Sequence, residues 1–159
     1  MEDRFVYADN AATTPIDSRV LEKMMPFLTT EYGNASTLYS LGHSSHDAME
    51  EARREVALLM NAAPGEIYFT GCSSESDNMA LRGWMHSKQN KGKKHLITTN
   101  IEHHAILHTA QALEKEGFEV TYLQPDSEGR ITVDALKAAL RKDTILVSIM
   151  MVNNEVGSV

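Results

Sequence analysis

The sequence predicts an α/β fold with a mainly parallel sheet flanked by helices, and two observations carry this prediction. Short runs of β-branched and aromatic residues alternate along the chain with segments whose apolar residues recur at helical spacing. The last short run, residues 144–152, is apolar almost without interruption, as expected for a strand covered on both faces. Crossovers in such sheets are right-handed, and ligands lie at the carboxyl ends of the strands.

The individual elements follow from local patterns along the chain. A proline at position 26 lies inside the first helix and is expected to end or kink it, because its ring clashes with the preceding turn. The expected strands are residues 5–8, 66–70, 95–99, 118–123 and 144–152. The expected helices begin at Asp17 or Ser18, near Ser44, at Ser73 or Ser74, near Ile106 and at Val133.

Composition limits the classes of function that need to be considered. At 159 residues the chain fits one domain or a piece of a larger one, and a net charge of −7 argues against a nucleic-acid or anionic-membrane surface. Cys72 is the single cysteine, which excludes a disulfide framework and suits a reducing cytoplasm. Residues 1–4 are acidic and no long apolar run follows, so neither a signal peptide nor a membrane span is expected.

The stretch from Tyr68 to Asn78 is the strongest indication of a binding site. An aromatic and β-branched run passes through Gly71 into a helix that begins at Ser73 or Ser74. A helix start of this kind leaves backbone N–H groups unpaired, and these groups, with the helix dipole and nearby hydroxyls, suit a phosphate. The alternative is structural, since Ser74 and Asp77 have the spacing of a capping box.

Two further polar stretches fall at the carboxyl ends of expected strands. Residues 100–104 follow the strand at 95–99, and residues 153–157 follow the last strand. The phosphate loop is therefore expected to form one wall of a site with at least three walls. His43 and His46 have no third ligand near them in the sequence, so no metal site is expected.

Five stretches of the chain form a pattern when they are taken together: Asp9–Pro15, Tyr32–Ser36, Phe69–Asn78, Glu102–Ala105 and Asn153–Gly157. In their order and spacing they resemble the pyridoxal-phosphate-dependent cysteine desulfurases of the NifS/IscS kind, within the class V aminotransferases. The resemblance implies the fold-type-I architecture and covers the whole chain, but it corresponds to only about the first two-fifths of such an enzyme. Residues 1–159 would then be the N-terminal segment and first part of the cofactor-binding large domain, without the rest of that domain or the C-terminal small domain.

The resemblance implies roles for individual residues. Ser73 and Ser74 match the loop that holds the phosphate of pyridoxal 5'-phosphate. His103 matches the catalytic imidazole that stacks on the pyridine ring and helps to move protons, which suits a ring that titrates near neutral pH. Asn154 matches the side chain that binds the phenolic oxygen and borders the substrate. Asn34 lies in a loop that borders the substrate in relatives, although a turn residue tolerant of left-handed geometry is an equal alternative.

The sequence departs from the family pattern in the phosphate loop and at position 151. The phosphate loop usually contains Ser-Gly followed by Gly or Ala and then Thr, whereas this chain has Gly71-Cys72-Ser73-Ser74, with a side chain where the backbone is expected to need a positive φ. A helix N-terminus lowers a thiol pKa, but the sulfur-carrying cysteine of the family lies on a distant C-terminal loop, so Cys72 is not expected to be catalytic. Met151 replaces a common histidine.

The lysine that binds the cofactor covalently in this family has no counterpart in the sequence, since Lys93 and Lys94 belong to a basic turn. The chain alone is therefore expected to be inactive, either as half of a split cysteine desulfurase or as a fragment. A complementary C-terminal chain would carry the lysine and the catalytic cysteine.

The remaining expectations from the resemblance concern the reaction and the partners. The reaction would convert L-cysteine to L-alanine and an enzyme persulfide, in the cytoplasm, with a sulfur acceptor or an iron–sulfur scaffold protein as partner. The assembly would be a homodimer or resemble a heterotetramer. The alternatives are a selenocysteine lyase, another class V enzyme, or a non-catalytic cofactor-binding or structural partner, which the altered phosphate loop favours.

Overall fold

The computed structural model describes residues 5–159, which form two compact units that divide after Phe69. The acidic start on which the signal-peptide expectation partly rests, residues 1–4, lies outside the described range. In the N-terminal unit, α1 spans Ser18–Thr29 and α2 spans His43–Leu59. Short 3-10 turns at Ser40–Gly42 and Pro64–Glu66 precede and follow α2.

The first helix begins and ends through identifiable hydrogen bonds. Asp17 is its N-cap, and the carboxylate accepts the Arg19 N–H at 2.9 Å. Pro26 does not end the helix, which continues to Thr29, so that part of the prediction is wrong. The Pro26 carbonyl instead accepts the N–H groups of Thr30 and Glu31 at 2.9 and 2.7 Å, which closes the helix one turn later.

The strands expected at residues 5–8 and 66–70 are wrong. A strand is stabilised by ladder partners, and among the described residues neither segment pairs with another. Residues 64–66 form a 3-10 turn instead, and the chain that follows is held by a side chain. The Arg53 guanidinium on α2 donates to the Ile67 carbonyl at 2.5 Å and lies 5.0 Å from the centre of the Phe69 ring.

The apolar stripes of α1 and α2 stay largely exposed within their own unit. On α2, Leu59 is 85% exposed, whereas Ala57 is buried. The two helices border an apolar groove of about 840 Å³, into which Met24, Phe27 and Met49 contribute side chains. Helical periodicity therefore located both helices but did not identify what covers them.

The C-terminal unit contains three helices and a three-stranded sheet. Its strand order is β2-β1-β3, with both pairs parallel, and this confirms the predicted parallel sheet. Leu96 in the central strand lies opposite Val120 on one side and Leu146 on the other. The elements are α3 Ser73–Met85, β1 His95–Thr99, α4 His104–Lys115, β2 Glu119–Leu123, α5 Val133–Ala139 and β3 Thr144–Val147.

The core of this unit lies between β1 and the two helices α3 and α4. Every residue of β1 is buried, as expected for a central strand covered on both faces. β3 is shorter than the apolar run that predicted it, because after Val147 only the Ser148 N–H continues the ladder, to the Ile97 carbonyl at 2.9 Å. The buried core residues are Leu81, Met85, Leu96, Ile106, Ala110 and Leu113.

A buried histidine connects all three strands at the amino end of β1. His95 has no exposed surface, and its Nδ1 lies 2.7 Å from the Thr144 hydroxyl while its Nε2 lies 2.8 Å from the Thr121 hydroxyl. A hydroxyl can donate or accept, so the neutral ring satisfies both nitrogens here. Burial lowers the pKa of His95 below its ordinary value of 6.5, with the Arg141 guanidinium acting in the same direction.

We expect His95 to make the fold sensitive to acid. Because the pKa of His95 is lower in the folded chain, the unfolded chain binds more protons, and the free energy of unfolding decreases as the pH falls below 6.5. One such group contributes a slope of at most about 1.4 kcal/mol per pH unit. Urea unfolding between about pH 5 and 7.5 should show this slope in the parent and a smaller slope in His95→Asn.

The matched control is His46→Asn, which removes an exposed imidazole from α2. It should keep the pH slope of the parent. Equal slopes in the parent and in His95→Asn would contradict the assignment of the acid sensitivity to His95.

Candidate functional site

Two loops lie side by side at the carboxyl ends of β1 and β3. The Asn153 side chain donates from Nδ2 to the Ile101 carbonyl at 2.8 Å, and Glu102 Oε1 accepts the Met150 N–H at 2.7 Å. The sequence prediction that residues 100–104 and 153–157 meet at this edge is therefore confirmed. Together these loops border a cleft of about 430 Å³.

His103 is the N-cap of α4 and lies at the centre of the site. Its Nδ1 accepts the Ala105 N–H at 3.1 Å, so in the neutral ring the proton is on Nε2. The exposed ring lines the cleft that also contains Asn154, and it lines a neighbouring cleft of about 410 Å³ that contains Ser74. His103, in the predicted wall at residues 100–104, thus borders clefts that contain residues of the other two predicted walls, Asn154 and Ser74.

The start of α3 presents unpaired backbone donors. The N-cap is Cys72, and the capping box predicted for Ser74 and Asp77 does not form. The Glu75 carboxylate reaches back instead to the Gly71 N–H at 2.7 Å. In residues 5–159 the N–H groups of residues 72–74 have no acceptor, so they and the Ser74 hydroxyl are free to bind an anion.

The displaced glycine in this loop introduces no backbone strain. Cys72 has φ of −166° and ψ of 168°, an extended conformation that any residue adopts. Gly71 is also not among the residues with positive φ in the described part of the chain. The expectation that position 72 needs a positive φ is therefore wrong, and the Gly71-Cys72 order is compatible with an open helix start.

Asn153 and Asn154 differ sharply although they are neighbours. Asn153 is 4% exposed, and its Oδ1 accepts the N–H groups of Glu155 and Val156 at 2.8 and 2.9 Å, which shapes the turn. Asn154 is exposed on the cleft, and its only side-chain contact in the described range is a 3.4 Å hydrogen bond to Glu155. Asn154 is therefore available to a ligand, as the sequence analysis proposed.

Asn34 belongs to the N-terminal unit, where its hydrogen bonds describe a turn. Its Oδ1 accepts the Ser36 N–H at 2.9 Å, and its carbonyl accepts from both the N–H and the hydroxyl of Thr37. Its φ is not positive, so the side-chain hydrogen bond, rather than left-handed geometry, explains an asparagine here. A substrate-binding role for Asn34 stays a prediction.

Glu102 is the site residue that sequence reasoning did not single out. It is 8% exposed, and burial raises the pKa of its carboxyl, while hydrogen bonds from the Met150 N–H and the Thr99 hydroxyl act in the opposite direction. The available signal was an acidic residue three positions after the end of β1, inside a stretch already recognised as polar. Its burial depends on the neighbouring loop and could not be read from the pattern.

Other side chains near the site do not form a metal centre. Within residues 5–159, no group of three or more His, Cys, Asp or Glu side chains is arranged to hold a metal ion. His104 and His108, one turn apart on α4, stack with their ring centres 5.3 Å apart.

No helix within residues 5–159 is both long enough and apolar enough to cross a membrane.

The site therefore combines three kinds of group that suit a planar, phosphorylated ligand. Unpaired N–H groups at a helix start bind a phosphate, an exposed flat ring can stack on an aromatic ligand, and a free amide can bind a ring substituent. All three lie in the C-terminal unit. Their residue types fit a pyridine-ring phosphate such as pyridoxal 5'-phosphate.

We expect the capping function of His103 to be separable from any function of its ring. His103→Ala removes the acceptor for the Ala105 N–H and should lower the free energy of unfolding by about 1 kcal/mol. His103→Asn keeps a capping acceptor and should retain most of the parent stability, measured by urea unfolding at pH 7.5.

His104→Ala is the control, because it truncates the adjacent exposed ring without removing a cap. Its stability should stay within about 0.5 kcal/mol of the parent. The cap assignment fails if the alanine and asparagine variants of His103 are equally stable.

Comparison with known proteins places the chain among enzymes of one family. The family description "Aminotransferase class-V" matches residues 6–159. The chain is 48% identical over 158 residues to the cysteine desulfurase IscS of Methanosarcina thermophila, covering 99% of this chain and 39% of that protein. It is 53% identical over 155 residues to the cysteine desulfurase IscS of Neisseria gonorrhoeae, covering 97% and 38%.

Solved structures give the same result. A NifS-like protein superposes with a TM-score of 0.89 at 42% identity, covering 95% of this chain and 41% of that one. DndA from Streptomyces lividans superposes with a TM-score of 0.81 at 41% identity, covering 94% and 42%. The chain spans about two-fifths of the length of the curated relatives that it matches.

Proposed function

The chain belongs to the class-V aminotransferase family, and from this premise we propose that it is the cofactor-binding N-terminal part of a cysteine desulfurase. The whole enzyme would convert L-cysteine to L-alanine and leave the sulfur as an enzyme persulfide. The observation that carries the proposal is the position of His103, which borders both the cleft of Asn154 and the cleft of Ser74. The identity of about 50% to proteins named cysteine desulfurases supports it.

The start of α3 would bind the phosphate of pyridoxal 5'-phosphate. The N–H groups of residues 72–74 point out of the helix with no competing acceptor among the described residues, and the helix dipole favours an anion there. The Ser74 hydroxyl adds a further donor beside them. When bound, the cofactor supplies an electron sink that stabilises negative charge on the substrate.

His103 and Asn154 would orient the ring of the cofactor. The imidazole of His103 would stack on the pyridine ring, and since its Nδ1 accepts the Ala105 N–H, the proton that the neutral ring can give or take back is on Nε2. The Asn154 amide, which lines the same cleft as His103, would donate to the phenolic oxygen. In this proposal these residues bind and orient the cofactor and transfer a proton, and none of them is a nucleophile.

The remaining catalytic groups would come from outside these 159 residues. A pyridoxal enzyme of this kind needs a lysine amine and a thiolate that accepts the sulfur. We assign both to a complementary polypeptide or a further part of the same protein, because the relatives extend well beyond the matched region. The chain alone would then bind the cofactor without turnover, and a dimer would carry the sulfur to an iron–sulfur scaffold or another acceptor in the cytoplasm.

Three alternatives differ from this proposal in substrate or in activity. The first alternative is a selenocysteine lyase, and the second is an enzyme with another class V reaction. Both stay open because the groups that would select the substrate lie outside this chain. A non-catalytic cofactor-binding partner was favoured by the altered phosphate loop, but the extended backbone at Cys72 removes that reason.

The phosphate site can be tested with two ligands that differ only in their phosphate. We expect pyridoxal 5'-phosphate to bind the isolated chain more tightly than pyridoxal, because only the phosphate engages the α3 donors. Ser74→Ala should weaken binding of the phosphate form by roughly tenfold and leave pyridoxal unchanged. Isothermal titration or cofactor absorbance would measure both affinities.

Ser127→Ala is the matched control, since it removes an exposed hydroxyl from the turn after β2. It should leave both affinities unchanged. Equal affinities of the parent for the two ligands would overturn the phosphate assignment.

The split-enzyme proposal needs a separate experiment on protein purified from its own source. Native mass spectrometry is expected to show a second polypeptide together with the mass of pyridoxal 5'-phosphate, and the preparation should release alanine from L-cysteine. A single chain without cofactor and without alanine release would contradict the proposal.

A further inference from the structure

The ladder between β1 and β3 ends before the candidate site begins. Its last pairing joins Ile97 to Val147, with one more hydrogen bond from the Ser148 N–H to the Ile97 carbonyl. β1 continues to Thr99 paired only with β2, and after Thr99 and Ser148 both segments continue as loops that lead to His103 and Asn154. The relative position of these two residues must therefore be held by contacts other than the sheet.

Two buried side chains supply these contacts in opposite directions. Glu102, on the loop after β1, accepts the Met150 N–H of the other loop at 2.7 Å. Asn153, on the loop after β3, donates from Nδ2 to the Ile101 carbonyl at 2.8 Å. Each loop thus binds the backbone of the other through a side chain, and Glu102 and Asn153 are 8% and 4% exposed.

The sequence neighbours of these two residues are the exposed residues of the site. Glu102 directly precedes His103, and Asn153 directly precedes Asn154. Fixing the backbone at the buried position limits the directions available to the next side chain. The Glu102 carboxylate also accepts a hydrogen bond from the Thr99 hydroxyl at 3.3 Å, which anchors the carboxylate to the end of β1.

A carboxylate is a costly choice for a contact that serves stability alone. In the described part of the chain Glu102 forms no ion pair with a basic side chain, and the charge of Asp77, which raises the pKa of Glu102, has the same sign. Burying an unpaired carboxylate opposes folding unless strong hydrogen bonds compensate it. The Oε1 oxygen of Glu102 accepts hydrogen bonds from both the Met150 N–H and the Thr99 hydroxyl, and these two bonds offset part of that cost.

We propose that Glu102 and Asn153 are positioning residues that lock the two loops together and set the spacing of His103 and Asn154 across the cleft. The lock itself is a property of the chain without any ligand. Its effect on pyridoxal 5'-phosphate rests on the proposed function.

The lock is tested first in the ligand-free chain by amide hydrogen exchange. Glu102→Ala removes the acceptor of the Met150 N–H, and exchange at Met150 should accelerate by roughly tenfold or more relative to the amides of β1. Glu102→Gln keeps an acceptor oxygen and should retain protection within about threefold. The control is Glu55→Ala, which removes an exposed carboxylate from α2 and should leave Met150 protection unchanged.

Glu102→Asp covers the case in which the alanine variant does not fold. It keeps the charge and most of the volume but shortens the side chain by one methylene, so Met150 should lose protection while circular dichroism stays that of the parent. Suppose that the amide of Met150 stays as protected as in the parent in each of Glu102→Ala and Glu102→Asp that folds. That result would overturn the lock.

The effect on the site is tested second, by affinity for pyridoxal 5'-phosphate and for pyridoxal. The lock positions the residues that contact the ring, which both ligands share, and not those that contact the phosphate. Glu102→Asp should therefore weaken the binding of both ligands by a similar factor, of roughly three- to tenfold. Glu102→Gln should bind both ligands almost as tightly as the parent does. Parent-like affinities in Glu102→Asp, with Met150 exposed to exchange, would overturn the positioning role.

The two experiments separate the inference from the proposed function. If the parent binds neither ligand, the proposed function fails, while the exchange result still decides whether the lock exists. If the parent binds the phosphate form and substitution of Glu102 does not change the exchange rate of the Met150 amide, the proposed function stands and the lock is wrong.

Discussion

The C-terminal unit depends on the pairing of β1 with a parallel strand on each side. All five residues of β1 are buried, so its polar side chains depend on neighbouring groups for hydrogen bonds, and only the Thr98 hydroxyl lacks a partner in this strand. At the amino end His95 reaches hydroxyls on both neighbouring strands, and at the carboxyl end Thr99 and Glu102 turn towards the loop after β3. The central strand thus has a structural polar contact at one end and the site at the other.

Much of this unit could be predicted from the sequence, because local patterns determine it. The helical spacing around Ile106 and the apolar run from Thr144 located α4 and β3, and their alternation predicted a parallel sheet, which the structure confirms. The polar loops at the carboxyl ends of the strands follow from the same rule. The five recognised stretches then identified the family, which the match over residues 6–159 confirms.

The errors share one physical cause: a local sequence pattern does not show which groups elsewhere in the chain it will pair with. The segments at residues 5–8 and 66–70 have the composition of strands, but in the described residues nothing pairs with them. Ser74 and Asp77 have the spacing of a capping box, yet α3 already begins at Ser73 with Cys72 as its N-cap, so Ser74 lies inside the helix. Glu102 and Asn153 were overlooked for the same reason, since their importance comes from contacts between loops about 50 positions apart.

The unpaired donors at the start of α3 are mostly main-chain N–H groups, with the Ser74 hydroxyl beside them. Cys72 occupies the position with an ordinary extended backbone, so the donors of residues 72–74 do not require a glycine there. Substitution at such a position would be tolerated over evolutionary time as long as the backbone path is kept. Glycine-based motif searches would therefore undercount phosphate sites of this kind, and comparison of backbone conformation at helix starts would recover them.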